Sequence, residues 1–212
     1  MLPSKAMRLR PPIPTGFLLL LALLSSPAAA VVADRILAVV NNEVIALNDV
    51  RIYRELFEEK PEADDPAVLN DLVDQALLLA EARKLEVPPP SDDEVAQAYK
   101  KLRLRFGKAE TFELVKTRLS LTDADVEQHL RLRLQAEHLI EQRIQFFVFV
   151  TPEEIEDYYQ ARLDDYKHLS PEDAQKAVQD LLIKEKSKSK LKDYLDRLRA
   201  KANIRISRPL PE

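Results

Sequence analysis

Phe146, Phe147, Phe149, Tyr158 and Tyr159 put five aromatic rings within 14 residues, in a chain with seven Phe, six Tyr and no Trp. They fall where one helical pattern stops and another starts. Core packing could absorb some of these rings, but five exceed what one small core contact needs. Rings with phenolic hydroxyls at a helix junction suit a cleft that holds extended polypeptide of varied sequence.

The other side chains capable of chemistry do not assemble into a recognisable site. His129, His138 and His168 are the only histidines. Val126 precedes His129 by three positions and Gln135 precedes His138, so neither E-x-x-H nor H-E-x-x-H spacing occurs. These histidines read as solvated helix positions. The carboxylate pairs Glu153-Glu154 and Asp164-Asp165 lie at helix starts, where the macrodipole favours them without any acid–base role. No G-x-S-x-G elbow occurs. The run Lys184-Glu185-Lys186-Ser187-Lys188-Ser189-Lys190 reads as a solvated helix face. No metal or cofactor is expected.

Composition narrows the classes further. Cys is absent, which excludes disulfides and thiol chemistry. The two glycines are Gly16 and Gly107, too few for phosphate-cradling or dinucleotide-binding loops. The same scarcity predicts few turns with positive φ and a mostly helical chain punctuated by Pro and Asn.

Lys5, Arg8 and Arg10 precede the apolar run Phe17–Leu24, and Ala28-Ala29-Ala30 supplies an A-x-A site. This pattern predicts a secretory signal peptide over 1–30, cleaved after Ala30. Its apolar core is far shorter than the roughly 20 residues a membrane-spanning helix needs, so no stable membrane insertion is expected after cleavage. The remainder, 31–212, carries 29 basic and 36 acidic side chains, a net −7. That balance argues against nucleic acid as a partner.

The elements that must position the aromatic junction follow from periodicity and caps. Ile36–Val40 and Val44–Ala46 are short apolar runs around the turn Asn41-Asn42-Glu43, which predicts a hairpin. Asn48 is the expected N-cap of a helix running to about Lys60, followed by an acidic linker, Glu62–Asp65. A second helix is predicted from Asp65 to about Glu86. Ser91-Asp92-Asp93-Glu94 opens a third, to Phe106, with Gly107 as breaker. A fourth covers Ala109–Ser120, with Phe112, Val115 and Leu119 inward. Thr122 opens what reads as the longest helix, to about Val150, with apolar residues on several faces. Thr151-Pro152-Glu153-Glu154 and Ser170-Pro171-Glu172-Asp173 open two more, the last reaching about Lys201. Asn203–Ser207 (NIRIS) alternates like a terminal strand and is expected to pair with the hairpin, because an isolated two-stranded hairpin is marginal.

Two of these segments carry a family resemblance. Asp34, Ile36, Ala38, Val39, Val40, Asn41, Val44 and Ile45 fit the pattern D-x-[IV]-x-A-V-V-N-x-x-[VI]-[IL], which resembles the start of mature SurA-type periplasmic chaperones. Thr151-Pro152-Glu153-Glu154-Ile155-Glu156-Asp157-Tyr158-Tyr159 is similar to their T-x-E-E-[IV]-x-x-Y-Y segment. In those relatives the next segment leads into a parvulin-type prolyl isomerase domain. Here Asp165–Leu169 goes straight to Ser170-Pro171 and the final helix.

The resemblance implies a mainly α fold with a small hairpin joined by the C-terminal strand. It implies a helical chaperone domain over 31–169, with 170–212 folding back onto it. It also implies a periplasmic, non-enzymatic holdase for unfolded or nascent envelope proteins, outer-membrane proteins among them. Phe146, Phe147, Phe149, Tyr158 and Tyr159 are its expected client contacts. Two other functions fit the same residues: an isomerase-family member with residual or cryptic activity, and an assembly or scaffold subunit dedicated to one partner.

Overall fold

Val40 and Glu43 face each other across a two-residue turn whose Asn41 adopts a positive φ of 54°, and this pins the hairpin register. The computed structural model describes residues 34–58 and 65–207. The expected signal peptide and cleavage site, most of the acidic linker and the last five residues lie outside them. The hairpin strands are β1 (Ile36–Val40) and β2 (Glu43–Ala46). The terminal strand β3 (Ile204–Ile206) pairs antiparallel with β1, with Ala38 opposite Ile206 and Val40 opposite Ile204. The strand order is β2-β1-β3. Asn41 ties the turn to the far end of the chain: its N–H donates to Asn203 O at 2.8 Å, and its side-chain oxygen accepts from the Asn203 N–H at 3.0 Å. NIRIS therefore closes the sheet as expected.

Eight helices follow the hairpin among the described residues, and the fold is mainly α. They are α1 (Leu47–Leu56), α2 (Asp65–Lys84), α3 (Asp92–Arg105), α4 (Ala109–Arg118), α5 (Asp123–Arg143), α6 (Pro152–Gln160), α7 (Leu163–Tyr166) and α8 (Pro171–Lys201). The capping boxes read from sequence at Ser91 and Thr151 are present, with Glu94 and Glu154 reaching back to the cap N–H, and Thr122, the expected helix start, forms a third through Asp125.

Four expectations fail locally. Asn48 is not the cap of α1; Ala46 is, and Asp49 Oδ2 accepts from its N–H at 2.8 Å. Asn48 lies inside the first turn, its N–H satisfied by Asp34 Oδ1 at 3.2 Å. The helix stops at Leu56 rather than near Lys60. The longest helix is α8, with 31 residues, not α5, which ends at Arg143 after 21. Ile144 to Val150 (IQFFVFV) is a run of β-branched and aromatic residues, weak helix formers. Ile144 turns its buried side chain inward, Gln145–Phe147 form one 3₁₀ turn, and the chain runs extended to Thr151, which Pro152 holds out of the helical region. Positive φ is also commoner than the glycine count implied. Glu86 (54°) and Ser120 (56°) end α2 and α4 in Schellman motifs. The diagnostic bonds are Val87 N to Ala82 O and Leu121 N to Lys116 O, each 2.9 Å.

Packing centres on α2. Val68, Leu69, Val73, Ala76 and Leu77 bury one side of it against Leu37, Ala38, Val40 and Ile45 of the sheet. Leu78 and Ala82 bury another against Ala136 and Leu139 of α5, with Tyr194, Leu195 and Leu198 of α8 closing over them. Its apolar stripe is broad because it faces a sheet and two helices. A second core joins Ile52, Leu56 and Phe57 to Val95, Leu102, Phe112, Val126 and Leu130. The C-terminal half of α8 is clipped to α2 by Arg199, whose Nε donates to Asp74 Oδ1 at 2.7 Å. Its N-terminal half carries α6, with Ala174 and Val178 fully buried.

Candidate functional site

The aromatic junction emerges from α5 with its rings outside. Phe146 is 75% exposed, Phe147 52% and Phe149 73%. Phe146 and Phe147 pack edge to face, 5.5 Å between centroids. Three phenyl rings so exposed offer on the order of 400 Å² of apolar surface, as large as the biggest patch on many monomers. Tyr158 and Tyr159 are half-buried on α6. Arg162 lies 3.9 Å above the Tyr158 ring, and Tyr159 packs against Tyr166 at 6.1 Å. The structure thus brings Phe146, Phe147 and Phe149 into one exposed ridge, while Tyr158 is covered by Arg162 between α6 and α7 and Tyr159 by Tyr166 of α7.

What holds the ridge in place was not visible in the lysine run. Lys186 donates to Phe149 O at 2.9 Å and grips the Glu154 carboxylate at 2.5 and 2.7 Å. Lys190 donates to Phe147 O at 2.7 Å. The solvated-face reading of Lys184–Lys190 is therefore corrected for these two residues. Their ammonium groups satisfy carbonyls that the broken helix leaves without partners. The Glu154 carboxyl is held below its usual range, first by the Lys186 hydrogen bond and then by the Thr151 N–H. The phenyl rings are exposed because their backbone is fixed from the α8 side.

A second apolar feature, a cleft, lies beneath the hairpin. Val44 and Ile45 of β2, Tyr53 and Phe57 from the end of α1, Leu72, Ala76 and Leu79 of α2, and Leu132 of α5 line a cleft of about 220 Å³. Glu43, Asp49, Arg83, His129 and Arg133 ring it. Arg83 is paired with Glu43 at 2.7 Å, and Arg133 with Glu137 at 3.1 Å while resting on the Phe57 ring. His129 is half-buried beside Phe57, 6.4 Å between rings. Burial lowers its pKa, against the opposing pull of Asp49 and Asp125. Burial likewise raises the Tyr53 hydroxyl, with Arg133 opposing. His138 contacts Glu94 at 3.0 Å and is also half-buried, whereas His168 is exposed. The solvated reading thus survives only for His168. Sequence reasoning missed this cleft because its lining comes from four elements that nothing local brings together. The usable signal was the several-faced apolarity of α5, which put Leu132 and His129 beside neighbours.

Several solved chains are similar to this one. One of them comes from the pair PEB4, a virulence factor, and Cj1289, a periplasmic protein, described as two structurally related SurA-like chaperones of the human pathogen Campylobacter jejuni. The TM-score is 0.52 at 13% identity, covering 83% of this chain and 100% of that chain. In fold, the chain resembles a SurA-like chaperone. At that identity the likeness is one of architecture. No protein-family model matches the chain. No curated protein matches its sequence. The helical frame carries the exposed ridge and the cleft, and no group of acidic or histidine side chains suited to a metal occurs among the described residues. No helix among them is long and apolar enough to cross a membrane.

Proposed function

We propose that the protein is a periplasmic, non-catalytic chaperone that holds unfolded or partly folded envelope proteins against the ridge at Phe146, Phe147 and Phe149, with Tyr158 and Tyr159 beside it. In this reading the chain is cleaved after Ala30, 31–169 is the helical chaperone module, and 170–212 is the strap that closes it. The observation that carries the reading is the exposure of the three phenyl rings on a backbone clamped by Lys186 and Lys190. The fold shared with a SurA-like chaperone supports it.

The energetics suit a holdase that releases without ATP. Covering roughly 400 Å² of apolar surface returns about 10 kcal/mol at 25 cal/mol per Å². Association costs of about 4–15 kcal/mol offset most of that. Binding is then weak and reversible, and a client leaves by folding, which removes its own apolar segments from the equilibrium. Prolyl isomerase activity is not expected, since Tyr166 to Ser170 spans the place where the resembled family inserts that domain.

The test is a double measurement on Phe149→Ala and Tyr159→Ala: thermal stability, and suppression of aggregation of an unfolded outer-membrane protein. Stability should hold while suppression weakens. If suppression is lost only in step with unfolding, the ridge is structural. If wild-type protein suppresses nothing, the chaperone reading fails.

A further inference from the structure

We infer that the open edge of β2 is a docking site for an uncharged, extended segment of a partner polypeptide, which pairs with Val44 and drops one apolar side chain into the cleft under the hairpin. This rests on the chaperone reading and adds the backbone conformation and side-chain class of the bound segment.

The first observation is the edge itself. In the order β2-β1-β3, no strand among the described residues lies on the outer side of β2. The Leu47 N–H donates inward to Arg35 O. Backbone groups alternate along a strand, so Glu43 and Ile45 also point to β1, and Val44 and Ala46 point away. The Ala46 N–H is taken by Asp49. Val44, 54% exposed, keeps both its N–H and its C=O for a newcomer. An edge of this kind is a template for strand addition, in which backbone bonds supply affinity and neighbouring pockets select side chains.

The second observation is that the pocket begins at the same residues. Glu43, Val44 and Ile45 form its rim, and Leu72, Ala76, Leu79 and Leu132 its depth. An apolar cavity of about 150 Å³ accepts a benzene ring; one of 220 Å³ accepts a single Leu, Ile or Phe side chain.

The third is electrostatic. Each charged lining residue already has a partner within the chain: Glu43 with Arg83, Arg133 with Glu137, Asp49 with the Ala46 N–H. A charged side chain entering here would lose hydration, and an anionic one would also face the Asp49 carboxylate with both arginines already paired. An apolar one loses nothing. The rim selects against charge.

The probe is the blocked peptide acetyl-Thr-Val-Leu-Val-Thr-amide with a fluorophore at one end, titrated with full-length protein and read by anisotropy. Val44→Pro removes the outward N–H at an edge position that tolerates Pro, and Leu79→Trp fills the pocket. Each should weaken binding by about tenfold or more, as should replacing the central Leu of the peptide with Glu. Leu114→Ala, at an exposed apolar position outside both the cleft and the ridge, should leave it within about twofold. Two N-methylated peptides, one blocked at Leu and one at both Val, keep the inference testable on wild-type protein even if a variant fails to fold: one of the two should lose binding. Equal binding by both methylated peptides overturns the inference. Loss of binding in Phe149→Ala alone also overturns it but leaves the chaperone reading standing. A wild-type dimer that dissociates on Val44→Pro would assign the edge to a second copy and likewise overturn it. No peptide binding together with no aggregation suppression would sink both proposals.

Discussion

Phe112 and Phe149 are the same side chain put to opposite uses. Phe112 is fully buried, flanked by Tyr99 at 5.6 Å and Phe106 at 5.2 Å, where α1, α3, α4 and α5 converge. Phe149 is 73% exposed on an extended segment whose backbone is held by Lys186 of α8. Around Phe112 even a lysine is enclosed. Lys116 lies 5.3 Å from the Phe112 ring. Burial alone would lower its pKa, but hydrogen bonds to Asp123 and Glu113 outweigh this and raise it. At the junction the lysines hold main chain and leave the rings outside. Apolarity of a residue therefore does not decide its burial; the number of elements that reach it does.

The contrast breaks most sharply under truncation. Phe112→Ala should cost about 3–5 kcal/mol, because a fully packed ring leaves a cavity. Phe149→Ala should change stability by no more than about 0.5 kcal/mol, as at other exposed sites. Chemical denaturation of the two variants measures the difference. Similar losses in both would mean that the ridge is packed in solution.

A smaller effect is expected at the sheet, which lies between these extremes. Ile204 is half-buried against the α2 core, and Ile206 is 42% exposed. Deleting 203–212 removes β3 and both Asn41–Asn203 bonds. The loss should be about 2 kcal/mol, the worth of roughly one buried aliphatic side chain, and should appear as a lower melting temperature. No change would show that the hairpin and α2 suffice without the third strand.

The subtlest effect sharpens the same comparison at the cleft. Burial lowers the His129 pKa below its ordinary 6.5. As pH falls below 6.5, the unfolded chain binds this proton first, so protonation favours unfolding. The His129 contribution is fully present above 6.5, declines as pH falls from there, and is gone below the folded-state pKa. His129→Gln should therefore flatten the wild-type pH dependence of stability in that window. Parallel profiles for the two proteins would place His129 in solvent, as its sequence context first suggested.

The sequence by itself determined most of the elements. Capping boxes at Ser91 and Thr151, the helix start at Thr122, the Asn41 turn, the Gly107 stop and the alternation of NIRIS are local chemistry, and each holds in the structure. The five aromatics were legible as a cluster for the same reason. Where competing local signals were close, tertiary contacts decided. Ala46 rather than Asn48 caps α1 because Asp49 reaches back and Asp34 covers the Asn48 N–H. The Ile144–Val150 segment leaves the helix because Lys186 and Lys190, 37 and 43 residues beyond the carbonyls they bind, satisfy it from α8. The cleft at β2 exists only once α1, α2 and α5 meet there, and His129 is shielded only by that meeting. Caps and turns act over three or four residues, within reach of a pattern. Burial is set by which distant surfaces arrive, and only the assembled fold determines that.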